Sequence, residues 1–457
     1  MPATSTQSDL PLRRPRVLHL SYSCAPGWGS EPGVGWNRAV EMANHCDVWV
    51  VCNEEDCRAW IEDYLAKHPD NPHLKFIYIP HERVDKLLTR LPGCFYVAYN
   101  RWHRRAYREI CRLHQEINFD LVHQITFCGY REPSYLWKLG VPFVWGPVGG
   151  TQNYPWRFVS PVCGLKVLSE AFRSVLNTIQ LRCSPRVKQA ARSASAIFAA
   201  NSTAASDIKS TTGVEVLKLL DIGLEPVNGP TTPVSRQAGP LRILWSGVLE
   251  TRKALELLIE AVALLPEDVD CQVQVLGEGP AQTRWQRLAA RRGVASRFQW
   301  TGRLPRDEAV AQLNDADVFV FTSLRDTAGT VLLEAMASGT PIISIDHQGA
   351  ADIVDEKIGF KVAPTNRRDV SQQMSVIIAR LARNPDLLES FSLAAKQMAA
   401  DFTWSHQAQR ISEVYDSIFE SEGKDCRCAV PAKAQLPLLS VLDAVYEDQV
   451  GLGQSAT

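Results

Sequence analysis

This chain of 457 residues lacks any apolar run long enough to span a bilayer. It also lacks excess charge. The net charge of −1 argues against a general nucleic-acid binder. Its 12 cysteines lack metal-ligand spacing, and Cys426 and Cys428 flank a single residue, too little for a zinc site. No secretory signal is recognised, so the cysteines are expected to be reduced and the chain cytoplasmic. The glycines after the first apolar stretch, Gly27, Gly29, Gly33 and Gly35, miss the G-x-G-x-x-G spacing. That weighs against a dinucleotide-binding dehydrogenase. Internal repeats of short period are missing too.

What is present is a chain too long for one core, with 45% hydrophobic residues to fill two. Charge is divided unevenly. Met1 to Leu220 carries 26 Lys/Arg against 19 Asp/Glu, and the remainder 23 against 31. A basic first half suits an anionic surface or substrate.

Short apolar runs alternate with helical patterns. RVLHLSY (16–22), DVWVVC (47–52), FIYIP (76–80), FDLVHQITF (119–127), VPFVWG (141–146) and SAIFAANS (195–202) predict strands of one parallel sheet, SAIFAANS its last. A stretch rich in Pro, Gly and Thr at 221–240 reads as a linker. The pattern restarts with LRILWSG (241–247), VQVLGEGP (273–280), FQWTGRLP (298–305) and ADVFVFT (316–322). Glycines 146, 149 and 150 are expected to line the same cleft as the loop after the first strand.

Residues 83–112 stand apart. Eight Lys/Arg accompany Asp85 and Glu109, interleaved with Phe95, Tyr96, Tyr99, Trp102 and Tyr107. Basic and aromatic residues together suit an anionic membrane interface, and equally a helix that turns its aromatics inward.

The chemistry concentrates in TSLRDTAGTVLLEAMASGTPII, residues 322–343. A strand ends, a polar turn holds Asp326, Gly329 follows, and a helix begins with Glu334 in its early turns. Gly339 supplies a C-terminal cap and Pro341 starts the next strand. Free N–H groups at a helix N-terminus form an anion site, and the two acids beside it suit hydroxyl groups held next to a phosphate. An ordinary βαβ unit with solvated acids is the plainer alternative.

This stretch resembles the acidic signature of the retaining glycosyltransferases of family 4, also called group 1, with the GT-B fold. The usual pattern has two glutamates eight apart with EAMASGTPV after. Here Asp326 stands for the first and Glu334 is the second. Family members also show G-R-L-x-x-x-K-G in the second domain. In this chain Gly247 is followed by Val248 in place of Arg, Lys253 is retained, Ala254 replaces Gly, and Arg252 stands beside the lysine.

The resemblance implies two Rossmann-like, doubly wound α/β domains facing a central cleft. Residues 1–220 would be the acceptor-side domain, 221–240 the linker and 241–401 the nucleotide-sugar domain. Residues 402–420 would form a helix crossing back to the first domain, and 421–457 a tail without pattern. It implies catalytic roles for His123, Asp326, Lys253 and Arg252, and donor contacts from Glu334, Gly33, Gly35, Gly302, Arg303, Ala328, Gly329 and Thr330.

The donor would be a nucleotide sugar and the acceptor a glycan, a lipid-linked sugar or a small molecule. No separate cofactor and no metal are expected; Asp315-Ala316-Asp317 sits at a helix-to-strand boundary and reads as structural. The expected location is the cytoplasm, with peripheral contact at the inner membrane face. A glycoside hydrolase, a GT-B nucleotide-sugar epimerase and a non-catalytic sugar-nucleotide binder are the other readings that these residues allow.

Overall fold

In the computed structural model, residues 13–69, 71–91, 93–159, 166–225 and 239–429 are described. Among them, thirteen strands form two parallel sheets. The first contains β1 (Arg16–Ser21), β2 (Asp47–Asn53), β3 (Leu74–Ile79), β4 (Leu121–Thr126), β5 (Phe143–Val148), β6 (Ala196–Ala199) and β7 (Leu217–Lys218), in the order β3-β2-β1-β4-β5-β6-β7. The second contains β8 (Leu241–Ser246), β9 (Cys271–Leu276), β10 (Phe298–Gly302), β11 (Val318–Phe321), β12 (Ile342–Ile345) and β13 (Gly359–Val362), in the order β10-β9-β8-β11-β12-β13.

Strands covered by helices on both faces must be apolar at nearly every position. β4, β5, β11 and β12 are buried throughout. Each sheet reverses its winding beside its first strand, at β1/β4 and at β8/β11. A crevice forms at the carboxyl ends of strands where the winding reverses, and ligands of open α/β sheets bind there.

β7 was not expected. SAIFAANS reads as the last strand of the sheet, yet Leu217 and Lys218 pair with Phe198 and Ala199. Two exposed residues carry no periodicity from which a strand could be read. Residues 226–238 of the expected linker and 430–457 of the expected tail lie outside the described residues.

The basic and aromatic segment folds into helices Arg83–Thr89 and Phe95–Ile117. Its aromatics divide by helical face. Tyr99 and Trp102 are buried, and the Trp102 indole N–H donates to the Ile79 carbonyl at 2.9 Å. Arg101 and Arg105 turn back onto Asp85, so two of the eight cations are ion-paired there. Val84, Leu87, Leu91, Tyr96 and Val97 remain exposed.

Helix Trp404–Ser421 packs against helix Ser30–Met42 of the first half. Ala408, Ile411, Tyr415 and Phe419 share a core with Val17, Trp36 and Val48. Among the described residues, no helix is long and apolar enough to cross a membrane.

Candidate functional site: a cleft at two switch points

A cleft of about 390 Å³ opens where the two reversal points face each other. Ser30, Glu31 and Val34 line it from the helix after β1, with Asp221 and Ile222 beside them. Ser246, Gly247 and Lys253 line it after β8, and Asp326, Thr327, Ala328, Gly329, Thr330 and Val331 after β11.

The second-half wall is built for an anion. Helix Thr330–Ser338 starts from Gly329 at φ +99°, without a side-chain cap, so its first N–H groups stay open. Gly339 at φ +73° ends it, as the sequence predicts. Lys253 closes a short helical turn, Thr251–Lys253, after which Ala254 takes φ +48°. An alanine there is strained where glycine would not be.

Thr322 Oγ1 donates to the Lys253 carbonyl at 2.6 Å and accepts from the Trp245 indole at 2.9 Å, which anchors the lysine's backbone. The Lys253 ammonium pairs with the Asp326 carboxylate, and Arg252 Nη1 lies 3.9 Å from that carboxylate. Burial alone would raise the Asp326 carboxyl, but Lys253 and then Arg252 outweigh it and hold it below the usual range.

The halves also touch across the cleft. Gln348 Oε1 accepts from the Asp326 N–H at 2.8 Å, while its amide donates to the Asn153 carbonyl at 3.0 Å. Asn201 donates to the Thr327 carbonyl at 2.7 Å, and Arg325 pairs with Glu170 at 2.9 Å. Gly149 abuts Thr327, where a Cβ would come within 2.7 Å, but it does not line the cleft.

Of the residues expected at the site, Lys253, Asp326, Ala328, Gly329 and Thr330 line the cleft, and Arg252 stands behind Asp326. Others lie elsewhere. His123 is fully buried in the first sheet, with Nδ1 2.6 Å from the Tyr415 hydroxyl and Nε2 2.7 Å from the Gly146 carbonyl. Burial pushes its pKa down to about 3, so the ring is neutral: Nε2–H donates and Nδ1 accepts. His123 is not among the residues that line the cleft, and through Tyr415 it ties the last helix to the sheet.

Gly33 and Gly35 do not line the cleft either. A Cβ on Gly33 would sit 2.0 Å from the Trp28 carbonyl oxygen, and one on Gly35 2.2 Å from that of Ser23. Their bareness lets the helix pack on its own preceding loop. Glu334 lies one turn beyond the cleft-lining residues, paired with Arg306 at 3.0 Å. Gly302, at φ +80°, accepts from the Gly277 N–H at 2.7 Å, and neither it nor exposed Arg303 lines the cleft. Asp317 is buried and paired with Arg242 at 2.8 Å, which suits a structural role.

Glu31 and Asp221 were not anticipated. Glu31 left one sequence signal, an acid in the first turn of the helix after β1, at a strand's carboxyl end. Asp221 left none. Gln348 belongs to HQGAADIV (347–354), a loop and helix start that the sequence places at the far side of the pocket.

Two facing parallel-sheet domains with the cleft between them are the GT-B glycosyltransferase fold. Residues 233–398 match the family described as Glycosyl transferases group 1. The chain resembles alpha-D-kanosaminyltransferase of Streptomyces kanamyceticus, 27% identical over 178 residues, which are 38% of this chain and 45% of that one. It also resembles the amylovoran biosynthesis glycosyltransferase AmsK of Erwinia amylovora, 24% identical over 212 residues, 45% of this chain and 51% of that one. The matches thus span about half the length of these curated relatives. Among solved structures, Anabaena HepE in complex with UDP superposes with a TM-score of 0.56 at 17% identity, over 88% of this chain and 100% of that one.

Proposed function

We propose that the protein is a retaining glycosyltransferase of the family 4 type. It moves a sugar from a nucleotide-sugar donor to a glycan, lipid-linked or small-molecule acceptor, with no metal ion. One observation carries this reading: Lys253, inside the cleft, pairs with Asp326 at the open N-terminus of helix Thr330–Ser338, with Arg252 behind that carboxylate. Glycosyl transfer leaves negative charge on the departing diphosphate, and pre-placed cations and N–H dipoles stabilise it.

Asp326 is assigned to the donor sugar's hydroxyls, Glu334 to the ribose, and the backbone near Gly302 and Arg303 to the base. The UDP named for HepE supports a sugar nucleotide as donor, and AmsK supports an acceptor in polysaccharide biosynthesis. A thermal-shift screen of UDP-, GDP- and ADP-sugars tests the donor, since a ligand at 100 times its Kd stabilises the fold by about 2.7 kcal/mol. Asp326→Asn is expected to lower the transfer rate about 10-fold or more, and Glu334→Gln to weaken donor binding. Wild-type kcat/KM in both variants would reject these assignments.

A lipid-linked acceptor places the enzyme at a membrane. Exposed Val84, Leu87, Leu91, Tyr96 and Val97 beside the basic helix Phe95–Ile117 support contact with an anionic lipid surface. Each basic residue near such a surface contributes about 1 kcal/mol. Flotation with anionic vesicles should show binding at low salt that fades as salt rises. No binding at low salt would leave these helices as a solvated face.

A further inference from the structure

Helix Lys166–Cys183 is built inside out. A helix on the surface of a soluble domain normally turns its apolar stripe to the core and its polar residues to water. Here the polar side chains face the domain. Asn177, buried, donates to the Thr151 carbonyl at 2.7 Å and accepts from the Tyr130 hydroxyl at 2.9 Å. Ser174 Oγ, also buried, accepts from the Tyr154 N–H at 3.2 Å, and Arg173 donates to the Gln152 carbonyl at 2.8 Å. Glu170 pairs with Arg325 of the second half.

The apolar residues point the other way. Leu168, Phe172, Val175, Leu176 and Ile179 are between 40% and 65% exposed. Leu168, Phe172, Val175 and Ile179 follow one another at steps of four, three and four. At about 100° per residue they fall within roughly 60° of the helix circumference, with Leu176 on one flank. A stripe so narrow is the seam of a helix pair; a helix that faces a globular core carries a wider one. Apolar side chains exposed together in this way mark an interaction surface.

We propose that this seam is a self-association surface: the helices of two copies of the chain pair antiparallel about a twofold axis. The steps of four, three and four read the same from either end, so the seam is self-complementary, as a twofold interface requires. Pairing sets Phe172 of one copy against Val175 of the other, and Leu168 against Ile179. A large ring thus meets a small side chain at the centre. Arg182, exposed, is the next step of the seam. A parallel pair would set the two Arg182 guanidinium groups side by side, whereas an antiparallel pair places them at opposite ends.

A bilayer is the poorer partner for this face. A helix lying in a membrane interface turns a broad apolar face to the acyl chains and keeps its charged face in water. The polar face of this helix is already hydrogen-bonded to its own domain. Two helices in contact over about 27 Å bury on the order of 1,000 Å², the lower end for a specific interface, so the dimer is reversible. Pairing also braces the helix from which Glu170 reaches Arg325, the neighbour of Asp326 in the cleft.

The test measures the mass of the full chain in solution by light scattering, at concentrations from about 1 to 100 μM, where a reversible dimer of this size dissociates. The wild type should move from one chain mass to two as concentration rises. Phe172→Glu and Val175→Lys, both at exposed positions, should keep the fold by circular dichroism. Each should weaken self-association about 30-fold or more, the size expected of a central apolar anchor. An equimolar mixture of the two variants should recover the dimer. Antiparallel pairing brings the new carboxylate of one copy against the new ammonium of the other.

A wild type that stays a monomer across that range overturns the proposal. So does a dimer that both single variants leave intact, since it would lie on another surface. Failure of the mixture to recover the dimer, with both variants folded, overturns the antiparallel pairing. A monomeric wild type that floats with uncharged phosphatidylcholine vesicles, and loses this in Phe172→Glu, overturns the proposal and assigns the face to lipid.

Discussion

Replacing Lys253 by alanine is expected to lower kcat/KM for the sugar nucleotide about 100-fold or more, the loss typical of one strong donor to a developing anion. The ammonium lies in the cleft, its backbone pinned through Thr322 and Trp245 and its charge set against Asp326. Val248 supplies no charge, and among the described residues Lys253 and Arg252 are the cations beside Asp326. Lys253→Arg should recover only part of the rate, because a planar guanidinium differs from an ammonium in reach and geometry. Activity should persist in EDTA. Loss on chelation, restored by Mg²⁺ or Mn²⁺, would assign the role to a metal instead.

Gly33→Ala is expected to destabilise the fold by about 3 kcal/mol, at the upper end of ordinary overpacking. Two effects compete. Alanine in a helix interior normally stabilises by roughly 0.5–1 kcal/mol relative to glycine. Here the new Cβ would lie 2.0 Å from the Trp28 carbonyl oxygen, and that oxygen belongs to the backbone, so a loop must move. The clash wins. Gly35→Ala should behave alike, for its Cβ would meet the Ser23 carbonyl oxygen at 2.2 Å. Urea unfolding measures the loss, and nucleotide affinity at a temperature where the variant is folded separates packing from binding. A variant of unchanged stability that no longer binds nucleotide would return Gly33 to the donor site.

Most of the strands, their parallel character and the anion-binding helix start were legible because each depends on a few neighbouring residues; β7 and β13 were not. An apolar run of six, a glycine and a capped helix are local facts, and the reversal-point rule turns them into a cleft. Asp326 was read this way, and Lys253 from the family resemblance; the two pair although 73 residues separate them, since each follows its own strand.

His123 shows where local reading stops. A strand covered on both faces is apolar throughout, so no alternation tells which way a given side chain points. Pairing with β1 and the return of Tyr415 decided that His123 enters the core. Gly33 and Gly35 read equally well as ligand contacts or as close packing, and only the nearness of the Trp28 and Ser23 backbones distinguishes the two. Glu31, Asp221 and Asp326 share a cleft because two domains meet, and Gln348 holds the seam through Asp326 and Asn153. Local pattern determined the strands, the helix start and its glycines; the long-range packing of two sheets and a returning helix determined which acids face one another.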